Sequence, residues 1–426
     1  MAKTKKKTPV RSRKKAAPRA ISNEKKYAFE LIDRVVRECP RRKPTSEDER
    51  QAQMIFRAEF EKLGLKTHEE SFRFNDNLYA NLALHFGLGT LGSAVSGVAP
   101  ALGFLLHSTA AASYFAESTR RAYFLRRLFP WKPSQNLLAT MPAEGDPDLR
   151  VVILGHADAA FTGFLFDPRN VKAFAKGPPL GLKFLERSLT FATQTQFALA
   201  GFDLLRCFFG PLTLPLRPVE AILSIPGLLA FLLNLQMVMR NEIVPGANDN
   251  LTGCAALPLL AQRLAPHKPK NVEYVFGVTG CEEASLGGAD ALARVKKGEW
   301  DRNKTVILGL DGLTNGTLRF FQGEGEIVRT PIPTWIKEVC EATAGSESRF
   351  NEVTGFDIPV GGSDVAAFLA HGYDGVCLGC VDPELGSPRH YHWPTDTPEN
   401  LDMDQFMMSV EFAEKLVHQL TAFKLR

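Results

Sequence analysis

The sequence predicts an α/β fold with a mostly parallel, mixed central sheet, helices on both of its faces, and extra hydrophobic helical insertions. Three observations carry this. From residue 134 to the C-terminus, short runs that are apolar throughout alternate with runs of helical periodicity, the pattern of strands buried on both faces by crossover helices. Residues 77–116 and 188–239 stand apart as long apolar stretches. The composition of the 426 residues, 45% hydrophobic and 23% charged, is that of an ordinary globular chain and excludes collagen-like, coiled-coil and wholly disordered classes.

Residues 1–20 hold nine Lys and Arg and no acid, broken by Pro9 and Pro18, and read as a solvated, disordered basic arm. Taking those nine charges from the net +4 leaves residues 21–426 at −5, so the body is mildly acidic. Nucleic-acid binding therefore has only the arm to support it and is not expected; an orienting tail or a contact with anionic lipid suits the arm better. No apolar segment follows the arm directly, so it is not the n-region of an ordinary cleaved signal peptide. Residues 22–38 and 46–63 alternate apolar and charged positions at helical spacing, with Thr45-Ser46 before Glu47 and Asp48 as a start signal.

The forty residues 77–116 contain no Asp, Glu, Lys or Arg, enough for two membrane crossings at about 20 residues each. Basic residues flank them, the arm before and Arg120, Arg121, Arg126, Arg127 and Lys132 after. The positive-inside bias then predicts a helical hairpin, or a surface-lying pair, with both ends cytoplasmic. Gly87, Gly89, Gly92, Gly97 and Gly103 would let its helices approach closely. Residues 188–239 are interrupted by Asp203, Arg206, Pro211, Pro215 and Pro218, which points to amphipathic or re-entrant helices resting in an interface. Membrane lipid is thus an expected partner through 77–116 and 188–239, and the protein is expected to be membrane-associated. The predicted organisation is an arm (1–20), N-terminal helices (21–76), a hydrophobic hairpin with its basic flank (77–133) and a catalytic domain (134–426) that holds the insertion 188–239.

Within the last part, strands are predicted at 136–141, 150–154, 272–278, 305–310, 318–321 and 375–378, and helices at 252–264, 286–295, 333–344, 363–370 and 404–423. The seven scattered cysteines suit reduced thiols better than a disulfide framework, and Cys377 and Cys380 read as core strand residues, since no second C-x-x-C accompanies them.

In such sheets ligands bind at the carboxyl ends of strands, and there the sequence places one candidate after another. The run ending at Gly155 delivers His156 and Asp158; the run ending at Val278 delivers Glu282 and Glu283; the run ending at Leu310 delivers Asp311. Loops add Asp249, in Gly246-Ala247-Asn248-Asp249-Asn250, and His392, in Tyr391-His392-Trp393-Pro394. Two imidazoles with several carboxylates form the nitrogen and oxygen donor set of a divalent-metal site. Carboxylates converging there would repel one another without compensating cations, which favours more than one metal. Adjacent Glu282 and Glu283 cannot easily point at the same ion, so one would ligate while the other acts as base. His156 and Asp158, two residues apart, suit a ligand and a group that fixes its ring.

These segments resemble those of the co-catalytic di-zinc aminopeptidases, a family that also contains the glutaminyl cyclases. The likeness runs through Gly155-His156-Ala157-Asp158, Asn248-Asp249-Asn250 with Gly253, Glu282-Glu283 with Leu286-Gly287, Leu310-Asp311, Gly362-Ser363-Asp364, and Tyr391-His392 with Asp396-Thr397-Pro398-Glu399, in the family's order. The resemblance implies a zinc exopeptidase-like fold and two zinc ions per chain: His156 and Asp311 on one, Glu283 and His392 on the other, and Asp249 bridging them. It further implies Glu282 as general base towards a metal-bridged water that attacks a peptide carbonyl, and Asp158 as the residue orienting His156. The chain departs from the family where Val365, rather than His, follows Ser363-Asp364, and in the long segment between Asp158 and Asp249. Because that segment joins two implied ligands, it is expected to form a hydrophobic lid or membrane-resting wall beside the cleft.

The reading that follows is a membrane-associated zinc-dependent aminopeptidase acting on peptides, with its catalytic domain cytoplasmic. One alternative is a glutaminyl cyclase-like acyltransferase with one zinc. Another is a non-catalytic scaffold or receptor on the same fold, which would be expected to have lost ligands or base; none is missing.

Overall fold

In a computed structural model, which describes residues 18–175, 187–359 and 361–426, nine strands form one mixed sheet. Residues 1–17 of the basic arm lie outside the described residues. The strands are β1 (Lys66–Phe74), β2 (Lys132–Met141), β3 (Leu149–His156), β4 (Val272–Thr279), β5 (Thr305–Leu310), β6 (Thr317–Glu324), β7 (Thr330–Pro331), β8 (Thr354–Asp357) and β9 (Asp374–Val381). Their order is β1-β2-β4-β3-β5-β9-β6-β7, with β8 also pairing β6. The centre, β4-β3-β5-β9, is parallel; β2 and β6 join it antiparallel on either side, and β8 pairs β6 in parallel.

The helices are α1 (Pro18–Glu38), α2 (Glu47–Lys62), α3 (Leu78–Val95), α4 (Pro100–Ser118), α5 (Pro168–Ala175), α6 (Ser188–Phe209), α7 (Arg217–Arg240), α8 (Gly253–Leu264), α9 (Gly287–Lys296), α10 (Thr334–Ala344), α11 (Asp364–Ala370) and α12 (Met403–Lys424). Alternate residues of each central strand feed two separate cores, as the pleat requires. Val151, Ile153, Phe276 and Leu308 meet α1, α2, α8, α10 and α12 on one face; Val152, Leu154, Val275 and Ile307 meet α9 and α11 on the other. The same pleat sends Cys377 into one core and Cys380 into the other. All seven cysteines are free. Ser46 caps α2 by accepting the Glu49 N–H, the start signal the sequence carries.

The predicted central strands and the helices around them are all present. β1 is not foreseen because Lys66–Phe74 carries charge along its length, as an edge strand does to discourage further pairing. It pairs with β2, and α1 and α2 share the main core, so residues 21–76 build part of the same body as the sheet.

The two apolar regions form one assembly. α3 packs on α4 and α7, and α6 packs on α4 and α7, closing a four-helix bundle beside the sheet. The glycines serve this closure: a Cβ at Gly87 would lie 2.9 Å from the Phe231 ring, at Gly89 2.5 Å from Gln196, and at Gly103 2.8 Å from Asp203. The second region forms two long helices packed on the first. α6 and α7 run 22 and 24 residues and turn through Gly210–Leu216, where Pro211 and Pro215 sit in the link and Pro218 in the first turn of α7. Asp203, Arg206 and Glu220 point into the bundle and pair with one another there, with Arg206 Nε alone left without a partner among their side-chain atoms. Among the described residues, Ser188–Arg240 is the one helical stretch long and apolar enough to cross a membrane, and 17% of its most apolar window is buried.

Candidate metal centre

The parallel strands end on one edge of the sheet, and their loops bring the sequence-derived residues together. His156 closes β3; Glu282 and Glu283 follow β4 in a short 3-10 turn entered through Cys281 at φ 56°; Asp311 follows β5; His392 lies in the loop after β9. Asp249 sits in the turn between α7 and α8, where the Asp249–Asn250 peptide is cis. Asp249 extends one carboxylate oxygen to each side: Oδ1 is 3.2 Å from His156 Nε2 and Oδ2 is 3.1 Å from His392 Nε2. On the first side Asp311 Oδ1 lies 3.9 Å and Glu282 Oε2 3.8 Å from His156 Nε2; on the second, Glu283 Oε1 lies 3.3 Å from His392 Nε2. Three compact donor groups result: His156 with Asp249 and Asp311, Asp249 with Glu283 and His392, and His156 with Glu282 and Glu283. The cluster is buried except at Asp311, whose side chain is 25% exposed and marks the side open to solvent.

Asp158 reaches two neighbours, the Glu282-Glu283 turn and the His156 ring. Its carboxylate accepts the N–H groups of Glu282 (3.1 Å) and Glu283 (2.9 Å) and stands 3.5 Å from His156 Nδ1. The closer partner of that nitrogen is the Asp158 main-chain oxygen, at 3.1 Å. The residue therefore holds the Glu282-Glu283 turn with its side chain and faces the imidazole with both its backbone and its carboxylate.

Further supports, two of them without any sequence signal, surround these loops. Arg42, fully buried, donates to the carbonyls of Ala157, Pro245, Gly246 and Cys39, pinning the His156 loop to the Asp249 loop. Glu49 accepts the N–H of Cys281 and so anchors the turn before Glu282. Asp396 accepts the N–H groups of Asn248 and Asp249, while Asn250 donates to the Leu310 carbonyl and accepts the Gly312 N–H, locking the Asp249 turn to the Asp311 loop. Arg42 sits in the basic run Arg41-Arg42-Lys43, which in a sequence reads as surface, whereas Asn250 and Asp396 stand in the motifs quoted above. Val365, at the position that departs from the family pattern, is buried against Gly309 and Gly375 and serves the core.

The electrostatics suit cations. Burial disfavours a charged His156, yet Glu282, Asp158, Asp249 and Asp311 hold it protonated well above its ordinary range. Against the same burial, Glu283 and Asp249 push His392 up to about 10. Burial raises Glu283 and Asp311 above ordinary carboxylates and Glu282 well above them. Asp249 runs the other way: burial opposes its charge, and its bonds to the two imidazoles hold it below the usual range. Glu283 Oε1 is buried without a hydrogen-bond partner. A donor set of two imidazole nitrogens and carboxylate oxygens around an excess of negative charge fits zinc.

The sequence model of peptidase family M28 matches residues 236–417. A search of curated proteins gives no match. Among solved structures, the chain is similar to a zinc aminopeptidase from Bacillus subtilis at 12% identity and a TM-score of 0.54, over 93% of this chain and 95% of that one. It is equally similar to a glutaminyl cyclase from an Acidobacteriales bacterium, at 12% identity and a TM-score of 0.54, over 99% of each chain. A Zn-dependent exopeptidase from Parabacteroides distasonis follows at 11% and 0.52, over 93% and 97%. At such identities the structural likeness concerns the fold, while the family match covers the segment that carries Asp249, Glu282, Glu283, Asp311 and His392. Together they support a zinc peptidase-type function, and the resemblance carried by the motifs is to peptidase family M28, on the fold shared by zinc aminopeptidases and glutaminyl cyclases.

Proposed function

We propose that the protein is a membrane-associated, zinc-dependent exopeptidase of the aminopeptidase type, holding two zinc ions, with Glu282 as general base. The observation that carries the reading is Asp249, with one oxygen toward each of two histidines and a further carboxylate beside each. In this reading His156 and Asp311 hold one ion, Glu283 and His392 the other, and Asp249 both. Bound zinc would supply the Lewis acid for a water and for the peptide carbonyl. Glu282 takes the proton of the attacking water on its carboxylate and passes it to the amine nitrogen as the C–N bond breaks. Burial, which raises its proton affinity, suits it to both halves of that transfer. Asp158 keeps the Glu282 backbone still through both.

The apolar wall of the cleft comes from the segment between Asp158 and Asp249. The Phe166 ring stands edge-on to His392 at 4.5 Å, and Phe161 packs with Tyr79 and Met237 where α3 and α7 meet the catalytic body. This supports the wall part of the expectation; membrane attachment through 77–116 and 188–239 and a cytoplasmic catalytic face complete the proposal. We treat the four apolar helices as an anchor on the catalytic body.

The deciding experiment measures metal content beside hydrolysis of a panel of aminoacyl reporter peptides, for the wild type and Glu282→Gln. Two zinc per chain, with turnover abolished while metal stays bound, is the expected result. One zinc with cyclisation of N-terminal glutamine would install the cyclase reading instead, which the cyclase-like fold makes the natural second choice. No metal would leave a non-catalytic scaffold.

A further inference from the structure

The polarity of the four-helix bundle is inverted relative to the catalytic body. From residue 78 to 118 no exposed residue is polar; Leu91, Val98, Leu102, Phe104 and Leu105 are among those facing out. From 188 to 240 the exposed polar residues are Ser188, Gln194 and Arg240, two of them at the ends where the helices join the body. Among the described residues, the bundle holds nineteen of the twenty-eight exposed large apolar side chains, too many for scattered surface residues.

Its charges are inside. Arg206 bonds Glu220 and Asp203 and donates to the Ser96 carbonyl at 3.1 Å; His107 links Asp203 at 2.7 Å to the Ser93 hydroxyl at 3.0 Å. Nearer the body, Glu117 accepts from Asn81 and pairs with the buried Arg126. Interior polar groups beneath an apolar exterior are what a helix bundle in hydrocarbon needs.

Size and direction agree. The helices are 18 to 24 residues long, about 27 to 36 Å at ~1.5 Å per residue, against a hydrocarbon thickness of about 30 Å. Both hairpins start and finish at the catalytic body: Arg120 donates to Ser285, Arg126 to the Ala284 carbonyl, and Met237 packs on Phe161. Both turn at the other end, where Arg217 donates to the Gly97 carbonyl. Irregular backbone in those turns would be unsatisfied inside hydrocarbon, so the turns belong at the far headgroups rather than midway. The base carries Arg120, Arg121, Arg126, Arg127 and Lys132, matching the cytoplasmic face.

Resting on the membrane association proposed above, we infer that α3, α4, α6 and α7 cross a lipid bilayer as one four-helix bundle, with both hairpin turns at the far face and the metal-binding cluster held at the near one.

The test uses the full chain in vesicles of phosphatidylcholine and phosphatidylglycerol. In a Cys207→Ser background, which removes the one exposed thiol, an environment-sensitive fluorophore is attached at Leu105→Cys, Leu229→Cys or Leu212→Cys. Crossing predicts that labels at 105 and 229 lose fluorescence to nitroxides near the lipid chain ends. The label at 212 should instead lose it to headgroup nitroxides in the leaflet away from the catalytic body. Shallow quenching at all three positions would show a bundle lying on the surface and overturn the inference. So would a chain that stays in solution without detergent, as a monomer or as a second-copy assembly that covers the apolar face. Reporter hydrolysis on the same vesicles separates the two readings: depth without turnover sinks the peptidase, and turnover without depth sinks the crossing.

Discussion

Two regions of this molecule bury charge, and they do so in opposite ways. In the helical bundle Asp203 and Glu220 meet Arg206, and His107 completes the network. At the strand ends three carboxylates and Glu282 converge on two imidazoles. Buried opposite charges that satisfy one another hold helices in register, although replacing them by apolar groups of similar shape can be neutral or stabilising. Buried like charges gathered by separate loops are costly to folding and stay only where something else compensates them. The first arrangement is built for structure and the second for a ligand.

The largest expected effect tests the second arrangement. Glu282→Gln removes the proton acceptor and leaves the ligand groups built on Asp249 intact, so turnover should fall by roughly 10²–10⁴-fold with metal content unchanged by elemental analysis. A variant that lost its metal as well would make Glu282 a ligand and merge it with the cluster it is here set apart from.

Arg206→Leu tests the first arrangement. It leaves Asp203 and Glu220 buried without their cation, and removing one partner of a buried pair costs about 3–5 kcal/mol. The melting temperature in detergent should fall, while zinc content, set by residues at the strand ends outside the bundle, should hold. The triple change Asp203→Asn, Arg206→Met, Glu220→Gln should recover much of that loss. Loss of metal in Arg206→Leu at a temperature where the protein stays folded would show that the bundle and the site are one cooperative unit.

Legibility in the sequence follows the same divide. His156, Asp249, Glu282, Glu283, Asp311 and His392 could be found because each follows a run whose apolar pattern fixes a strand end or sits in a turn-rich motif. The pairing of 77–116 with 188–239 could not, since membrane-length apolar helices present no periodicity that names a partner. Asp203 and Arg206 even argued against long helices, because a sequence displays charges without showing that they face one another. Arg42 and Glu49 were hidden for a related reason: a buried guanidinium that bonds only backbone carbonyls leaves no complementary residue type to look for.

Arg42 offers a finer cut between support and ligand. It holds two loops that each carry a proposed ligand but touches none of the ligand atoms. Arg42→Lys keeps the charge and loses the fork, so zinc affinity measured by competition with a chelator should fall about 10- to 100-fold, the usual effect of disturbing groups around a metal's ligands. Arg42→Met should fall further. Equal affinity in all three proteins would reduce Arg42 to a packing role with no part in aligning the loops.

The smallest effect is expected at the seam between the two regions. Phe166 stands over His392, and it belongs to the segment that leaves Asp158 for the bundle. Its backbone turn is a short 3-10 element with no buried residue, so truncation should leave the fold standing. Phe166→Ala removes apolar surface from one wall of the cleft, and the lost contact should weaken apolar first residues by about 1–3 kcal/mol, the range for a methylene-scale change in a hydrophobic pocket. The reading is kcat/KM across reporters graded from Ala to Leu: the preference for the larger side chain should shrink while turnover of the smallest holds. A uniform fall across the series would mean that Phe166 acts by steadying the His392 ring, which would make it part of the ligand scaffold rather than of the wall the bundle lends to the site.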